Sequence, residues 1–347
     1  MIVGAMRLRI PRPSRRLLVP ALLVAAIAGV VSGGTPTVSV GPVGTPTHRA
    51  AAAAAAHPAG GGATAASRPS VLTIASLRTL HRTAGSVLPL GAPQAAPGYT
   101  LQRISYRSQG LRVTATLLVP SSPGRHRLVI ALHGLALART YRAGADALPL
   151  AIPLARRGVL VGVPDYRGLG GGDADPRTEA LPLADAIDAL NLLDLLRHDP
   201  RVDPAHLGLI AHSLGGNVAE IMLAVQPGIR TAVLYAPSES EYSTLYLRRP
   251  GFFAGRPGLG PPSQNPALYR AMSPGSNFGT LHCSVLVEHG TADRVVPARA
   301  SELTTRELSA AGATVRLRMI PGAGHDLNRP VWTAPLADGT AFLLQAL

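Results

Sequence analysis

At 347 residues with 46% hydrophobic content, the chain can bury a sizeable core, and one domain plus a leader accounts for its length, which excludes a second large domain. All 33 basic residues are arginine, and the +14 charge is uneven: residues 1–69 hold seven arginines and no acid, leaving 26 arginines against 19 acids elsewhere. Those arginines are scattered, without runs or interleaved aromatics, which argues against nucleic acid as a partner, and the single cysteine, Cys283, excludes an intrachain disulfide.

Taken in order, the chain opens on a targeting pattern. Arginines 7, 9, 12, 15 and 16 precede an apolar run over 17–31, interrupted by Pro20, and residues 1–32 read as an export signal. Ser14-Arg15-Arg16 followed by Leu17-Leu18-Val19 matches the twin-arginine pattern, which implies export of an already folded protein; the general secretory route fits the same residues. No clean Ala-x-Ala cleavage site is visible near Ser32, and an uncleaved signal would anchor the chain at the membrane. The expected location is outside the cytoplasm, secreted or held at the cell envelope. Residues 33–69, with Gly, Thr, Pro and an alanine run, read as a flexible linker, in which His48 and His57 have no metal-site spacing. The folded domain is expected over 70–347, led by an amphipathic segment at 72–80.

Two alternating runs over 99–119 flank Gln109-Gly110 and predict an antiparallel hairpin at the sheet edge. Residues 127–132 give a buried strand ending in His133-Gly134, where His133 is expected to shape the following loop. A strand at 159–163, a turn at Asp165-Tyr166-Arg167-Gly168 and a helix at 184–196 with leucines on one face follow. Strands alternating with helices at this spacing predict a mostly parallel, doubly wound α/β sheet.

Residues 207–218, LGLIAHSLGGNV, carry an apolar strand into Ala211-His212-Ser213-Leu214-Gly215-Gly216 and then into a helix. Small residues at 211 and 215 permit a sharp strand-to-helix turn that lifts the Ser213 hydroxyl clear of the sheet; Ala211 stands where the usual pattern has glycine. Downstream, a buried strand at 284–288 runs into a loop carrying Asp293, and the segment 315–325 ends a Gly-rich loop on His325. A serine hydroxyl is a poor nucleophile until an imidazole takes its proton, and the imidazole needs a carboxylate to fix its tautomer. The order Ser213, Asp293, His325 therefore predicts nucleophile, orienting acid and base. Asp326 and Asp165 are the rival acids, while Glu288 and His289 are expected to satisfy local hydrogen bonds and His212 to pack beneath the elbow. Between the strand at 231–235 and that at 284, a cap insertion over about 238–280 carries Tyr242, Tyr246, Phe252, Phe253 and Tyr269, which would either wall an acyl or aryl pocket or fill a small core of their own. No metal-ligand spacing and no phosphate-binding fingerprint occur, so neither metal nor cofactor is expected.

The segments GLRVTATLLVP, LVIALHG, DYRGLGGG, LGLIAHSLGGNVA, ALYRAMSP and VLVEHGTADRVVPARASELTTREL with GAGH resemble the hydrolase domain of the prolyl oligopeptidase family, and also dienelactone-hydrolase-like esterases, over residues 100–330. The resemblance implies an α/β-hydrolase fold, with the oxyanion hole formed by the backbone N–H groups of Leu135 and Leu214. It also implies a small ester or peptide substrate. Oligopeptidases carry a propeller, for which the thirty or so residues between linker and first strand leave no room, and their elbow usually reads Gly-x-Ser-Tyr-Gly-Gly. The expectation is thus an exported serine hydrolase that cleaves carboxylic esters through an acyl-enzyme, with a prolyl-oligopeptidase-like peptidase, or a binding protein that has lost catalysis, as alternatives.

Overall fold

The computed structural model describes residues 72–80, 85–175, 182–253 and 259–347; the predicted export signal and linker lie outside them. The chain runs α1 (Ile74–Thr79), β1 (Leu88–Pro89), β2 (Gln94–Ala96), β3 (Tyr99–Ser108), β4 (Leu111–Pro120), β5 (His126–Leu132), α2 (Leu148–Ala155), β6 (Leu160–Pro164), α3 (Pro182–Arg197), β7 (Val202–His212), α4 (Leu214–Val225) and β8 (Ile229–Tyr235). It continues through α5 (Tyr242–Arg248), α6 (Pro266–Met272), β9 (Ser284–Gly290), α7 (Ala298–Ala310), β10 (Thr314–Ile320) and α8 (Thr333–Ala346). The strands form one sheet in the order β1-β3-β4-β6-β5-β7-β8-β9-β10, with β2 paired to β3.

From β6 to β10 every pairing is parallel, while β4 pairs antiparallel with both β3 and β6. The β3–β4 hairpin closes through Gln109 and Gly110 at φ 51° and 83°, the left-handed pair whose twist matches the flanking strands. It is the predicted hairpin with one correction: β1 and β2 add to β3, so the true edge is a short strand rather than the hairpin itself. Short edge strands expose few unpaired backbone groups to another chain.

Two apolar layers sandwich the sheet. One packs α1, α3, α4 and Leu308 of α7 on one face; the other packs α2, α8 and Trp332 on the opposite face. The central strands are consequently buried on both sides, as β5, β6 and β8 show in their near-continuous apolar sequences. The strand order reverses at β5: the chain leaves it toward β6 through α2, on one face, and leaves β7 through α4, on the other. Loops diverging to opposite faces open a crevice outside the carboxyl ends of β5 and β7, where open α/β sheets hold their ligands. Ser213 stands at that point.

Candidate active site

Ser213 occupies φ 57° and ψ −121°, a conformation that L residues rarely adopt. It is held by three backbone bonds: its N–H donates to Tyr235 O at 3.0 Å, and its carbonyl accepts from Gly216 at 2.9 Å and Ser238 at 3.0 Å. The turn needs glycine at 215, because a Cβ there would lie 2.4 Å from Leu132 O and 2.6 Å from His133 O. Gly216 likewise lies against Pro237. Ala211, in the first small position, is fully buried.

The three predicted side chains meet. The Ser213 hydroxyl lies 2.9 Å from His325 Nε2, and His325 Nδ1 lies 2.7 Å from Asp293 Oδ2. Asp293 Oδ1 accepts from the amides of Val295 (2.8 Å) and Val296 (3.0 Å), which fixes the carboxylate on its loop after β9. Burial by itself would raise the Asp293 pKa, but hydrogen bonds from His289, His325 and the Val296 amide outweigh it and hold the carboxyl far below the usual range. His289 therefore does more than close its strand. Its Nδ1 lies 2.7 Å from Ser301 Oγ, while Nε2 faces Val296 O at 3.0 Å and Asp293 Oδ2 at 3.3 Å, buttressing the acid from behind.

Neither rival acid reaches His325. The Asp326 side chain is 68% exposed and faces Arg329 at 4.0 Å. Asp165 is fully buried elsewhere: it accepts from Arg103 (2.6 Å), Thr114 (2.7 Å), Tyr141 (2.7 Å) and the Gly144 amide (3.2 Å), so it ties the loop after β5 to the hairpin. Gly170 in the GLGGG turn lies against that carboxylate, where a Cβ would come within 2.3 Å of Oδ2. His133 shapes the loop as expected, buried with its ring 4.3 Å from Tyr166 and 4.9 Å from Tyr141 and its Nδ1 2.7 Å from Gly134 O.

Leu214 is the first residue of α4, so its amide is one of the donors a helix leaves unmatched. Leu135 and Leu214 line one small cleft, and Leu135 also borders the pocket over Ser213. That pocket, about 530 Å³, is walled mainly by the loop after β5, including Leu135, Leu137 and Tyr141, with Val295 opposite. Three of these are unusually exposed for apolar residues: Leu135 at 55%, Leu137 at 54% and Val295 at 43%. The cap aromatics take the other course open to them. Tyr242, Tyr246, Phe253 and Tyr269 pack on one another with centroids 5.5–5.9 Å apart, and none lines the pocket over Ser213. The cap's link to the site is polar: Arg248 pairs with buried Glu239 and donates to Val295 O at 2.7 Å on the Asp293 loop.

Sequence reasoning missed Asp146, which has no motif and stands 66 residues from its partner. Its Oδ2 lies 2.9 Å from His212 Nδ1 and accepts from the Gly134 amide at 2.9 Å.

A serine on a strained strand-to-helix turn, hydrogen-bonded through histidine to a carboxylate at the carboxyl edge of a mostly parallel sheet, defines a serine hydrolase of the α/β-hydrolase class. The chain belongs to the prolyl oligopeptidase family: that family's model matches residues 150–347, a span that includes Ser213, Asp293 and His325. It is 31% identical over 260 residues to an uncharacterized protein of Mycobacterium tuberculosis, covering 75% of this chain and 79% of that one. It is 27% identical over 224 residues to an uncharacterized peptidase of Bacillus subtilis, covering 62% and 82%. Among solved structures, acetyl xylan esterase 1 from Thermoanaerobacterium sp. shares the fold with a TM-score of 0.60 at 16% identity, covering 78% of this chain and 90% of that one. A puromycin-hydrolyzing peptidase of M. tuberculosis gives 0.61 at 21%, covering 71% of this chain and 39% of that longer one.

Proposed function

We propose that the protein cleaves carboxylic esters through an acyl-enzyme on Ser213. The observation that carries this reading is the unbroken chain from Asp293 Oδ2 through His325 to Ser213 Oγ. Ser213 Oγ attacks the ester carbonyl as its proton passes to His325 Nε2, and Asp293 stabilises the imidazolium without taking a proton. The amides of Leu135 and Leu214 receive the developing oxyanion. Collapse expels the alkoxide, which takes the proton from His325, and water attacking by the same route in reverse frees the acid.

The preference for esters rests on the pocket. Its exposed leucines and Val295 offer an apolar wall to an acyl or aryl group, whereas an amide needs its leaving nitrogen protonated and draws the required binding energy from subsites along a peptide. On an acetate or butyrate aryl ester, kcat/KM should exceed that on a prolyl or aminoacyl anilide by at least roughly a hundredfold, about 2.7 kcal/mol of transition-state stabilisation. An anilide turned over as fast as the esters would replace the esterase reading with the peptidase one. A fluorophosphonate probe should label the wild-type protein; folded protein that does not label would leave only a binding role.

A further inference from the structure

Three segments must be held together for the chemistry above: the elbow after β7, the loop after β5 and the loop after β10. The first is a sharp strand-to-helix turn at Ser213, and the other two are irregular backbone. One pair of side chains outside the triad touches all three. His212, beside the nucleophile, stacks its ring 4.8 Å from that of His325 and directs Nε2 at the His325 backbone carbonyl, 3.0 Å away. Its Nδ1 faces Asp146 Oδ2 at 2.9 Å, and the same oxygen accepts from the Gly134 amide, one residue before the proposed oxyanion donor.

The chemistry of the partners fixes the direction of these bonds. The His325 carbonyl can only accept, so His212 Nε2 donates to it, while Asp146 Oδ2 accepts from the Gly134 amide. Asp146 is kept ionised, at about 2: burial opposes this, but the hydrogen bond and charge of His212 together with the Gly134 amide prevail. The packing is built around the contact, since a Cβ on Gly134 would lie 3.0 Å from Asp146 Oδ2 and 3.2 Å from Ser213 Cβ. Only glycine at 134 lets the carboxylate, the amide and the elbow converge without displacement.

We propose that Asp146 and His212 form a positioning pair that locks the base loop and the oxyanion loop onto the nucleophile elbow. Neither residue exchanges a proton with substrate. Their effect reaches the reaction through the backbone of His325 and of Gly134-Leu135, where displacements well under 1 Å change rates by large factors. The loss on removing the pair therefore falls on kcat rather than on KM.

This inference rests on the serine-hydrolase reading, and the two fail separately: an inactive, unlabelled wild type sinks that reading, whereas an active wild type puts the pair to the test. Asp146→Ala removes the acceptor from a side chain that is 44% exposed, so the fold should survive, with an unchanged melting temperature within a few degrees. On an aryl ester, kcat should fall at least about tenfold, with KM within about threefold of wild type, and fluorophosphonate labelling of Ser213 should slow in parallel. Asp146→Asn keeps an oxygen that can accept from both His212 and Gly134 and should restore kcat to within about threefold. Wild-type kcat in Asp146→Ala overturns the proposal, and so does an asparagine variant as slow as the alanine one. If the alanine variant does not fold, the comparison moves to His212: Gln keeps a donor for the His325 carbonyl and Met, of similar length, does not. His212→Gln should then turn over at least about ten times faster than His212→Met, and equal rates overturn the proposal.

Discussion

A serine at φ 57° carries backbone strain of order 1–3 kcal/mol, and the hydrogen bonds to Tyr235, Gly216 and Ser238 hold it there. That strain points the hydroxyl at His325 rather than into α4. Ser213→Ala should therefore remove ester turnover while leaving the melting temperature nearly unchanged, because a hydroxyl is lost without a buried contact; residual turnover near wild type would overturn the assignment. Asp293→Asn should lower kcat by about 10⁴, since the carboxylate fixes the His325 tautomer and balances its charge. Asp326→Asn, on a solvent-facing side chain, should change it by less than about threefold. The reverse ranking would move the acid to position 326. All three triad residues were legible in the sequence because each follows a recognisable strand, Ser213 directly and Asp293 and His325 on the loops after β9 and β10. Asp146 was not, because nothing local in the sequence around it announces a partner 66 residues away.

At the scale of elements, the cap is held by buried polar contacts with a pH signature. Glu307 of α7 accepts from Ser240 Oγ at 2.5 Å; burial raises its carboxyl to about 7 against that hydrogen bond, with Glu241 adding to the rise. The native chain then keeps a proton that the unfolded chain releases from about 4.5 upward, so this group lowers stability as pH rises from about 4.5 to about 7. Glu307→Gln cannot ionise, yet it still accepts from Ser240. Its melting temperature relative to wild type should be higher at pH 8 than at pH 5, and a difference equal at both would rule the effect out. Two helices show where sequence patterns mislead. Residues 148–155, LPLAIPLA, carry two prolines that disfavour a helix interior, yet they form α2: Pro149 falls in the first turn, where its missing N–H is harmless, and Pro153 lies in a segment only eight residues long. The helix predicted at 184–196 with one apolar face forms, but α3 is buried almost all round. Asp188 lies inside because it pairs with buried Arg167 through contacts of 2.8 and 3.1 Å, a partner 21 residues away that periodicity does not report.

For the molecule as a whole, export is the proposal that the sequence supplies unaided. If the twin-arginine route is used, replacing Arg15 and Arg16 together by lysine should leave precursor in the cytoplasm, read by fractionation; the general secretory route needs only positive charge and should tolerate the change. Unimpaired export would assign the general route. The sequence by itself determined the parallel sheet, the β3–β4 hairpin and the order Ser213, Asp293, His325, because apolar periodicity and turn chemistry are local properties that survive without a partner. Only the tertiary structure decided that the cap aromatics pack on one another rather than over Ser213, that Asp165 anchors a loop rather than orienting a base, and that Asp146 meets His212. Each of these turns on which side chains converge from distant parts of the chain, and convergence is a property of how the layers pack on the sheet, which no window of sequence contains.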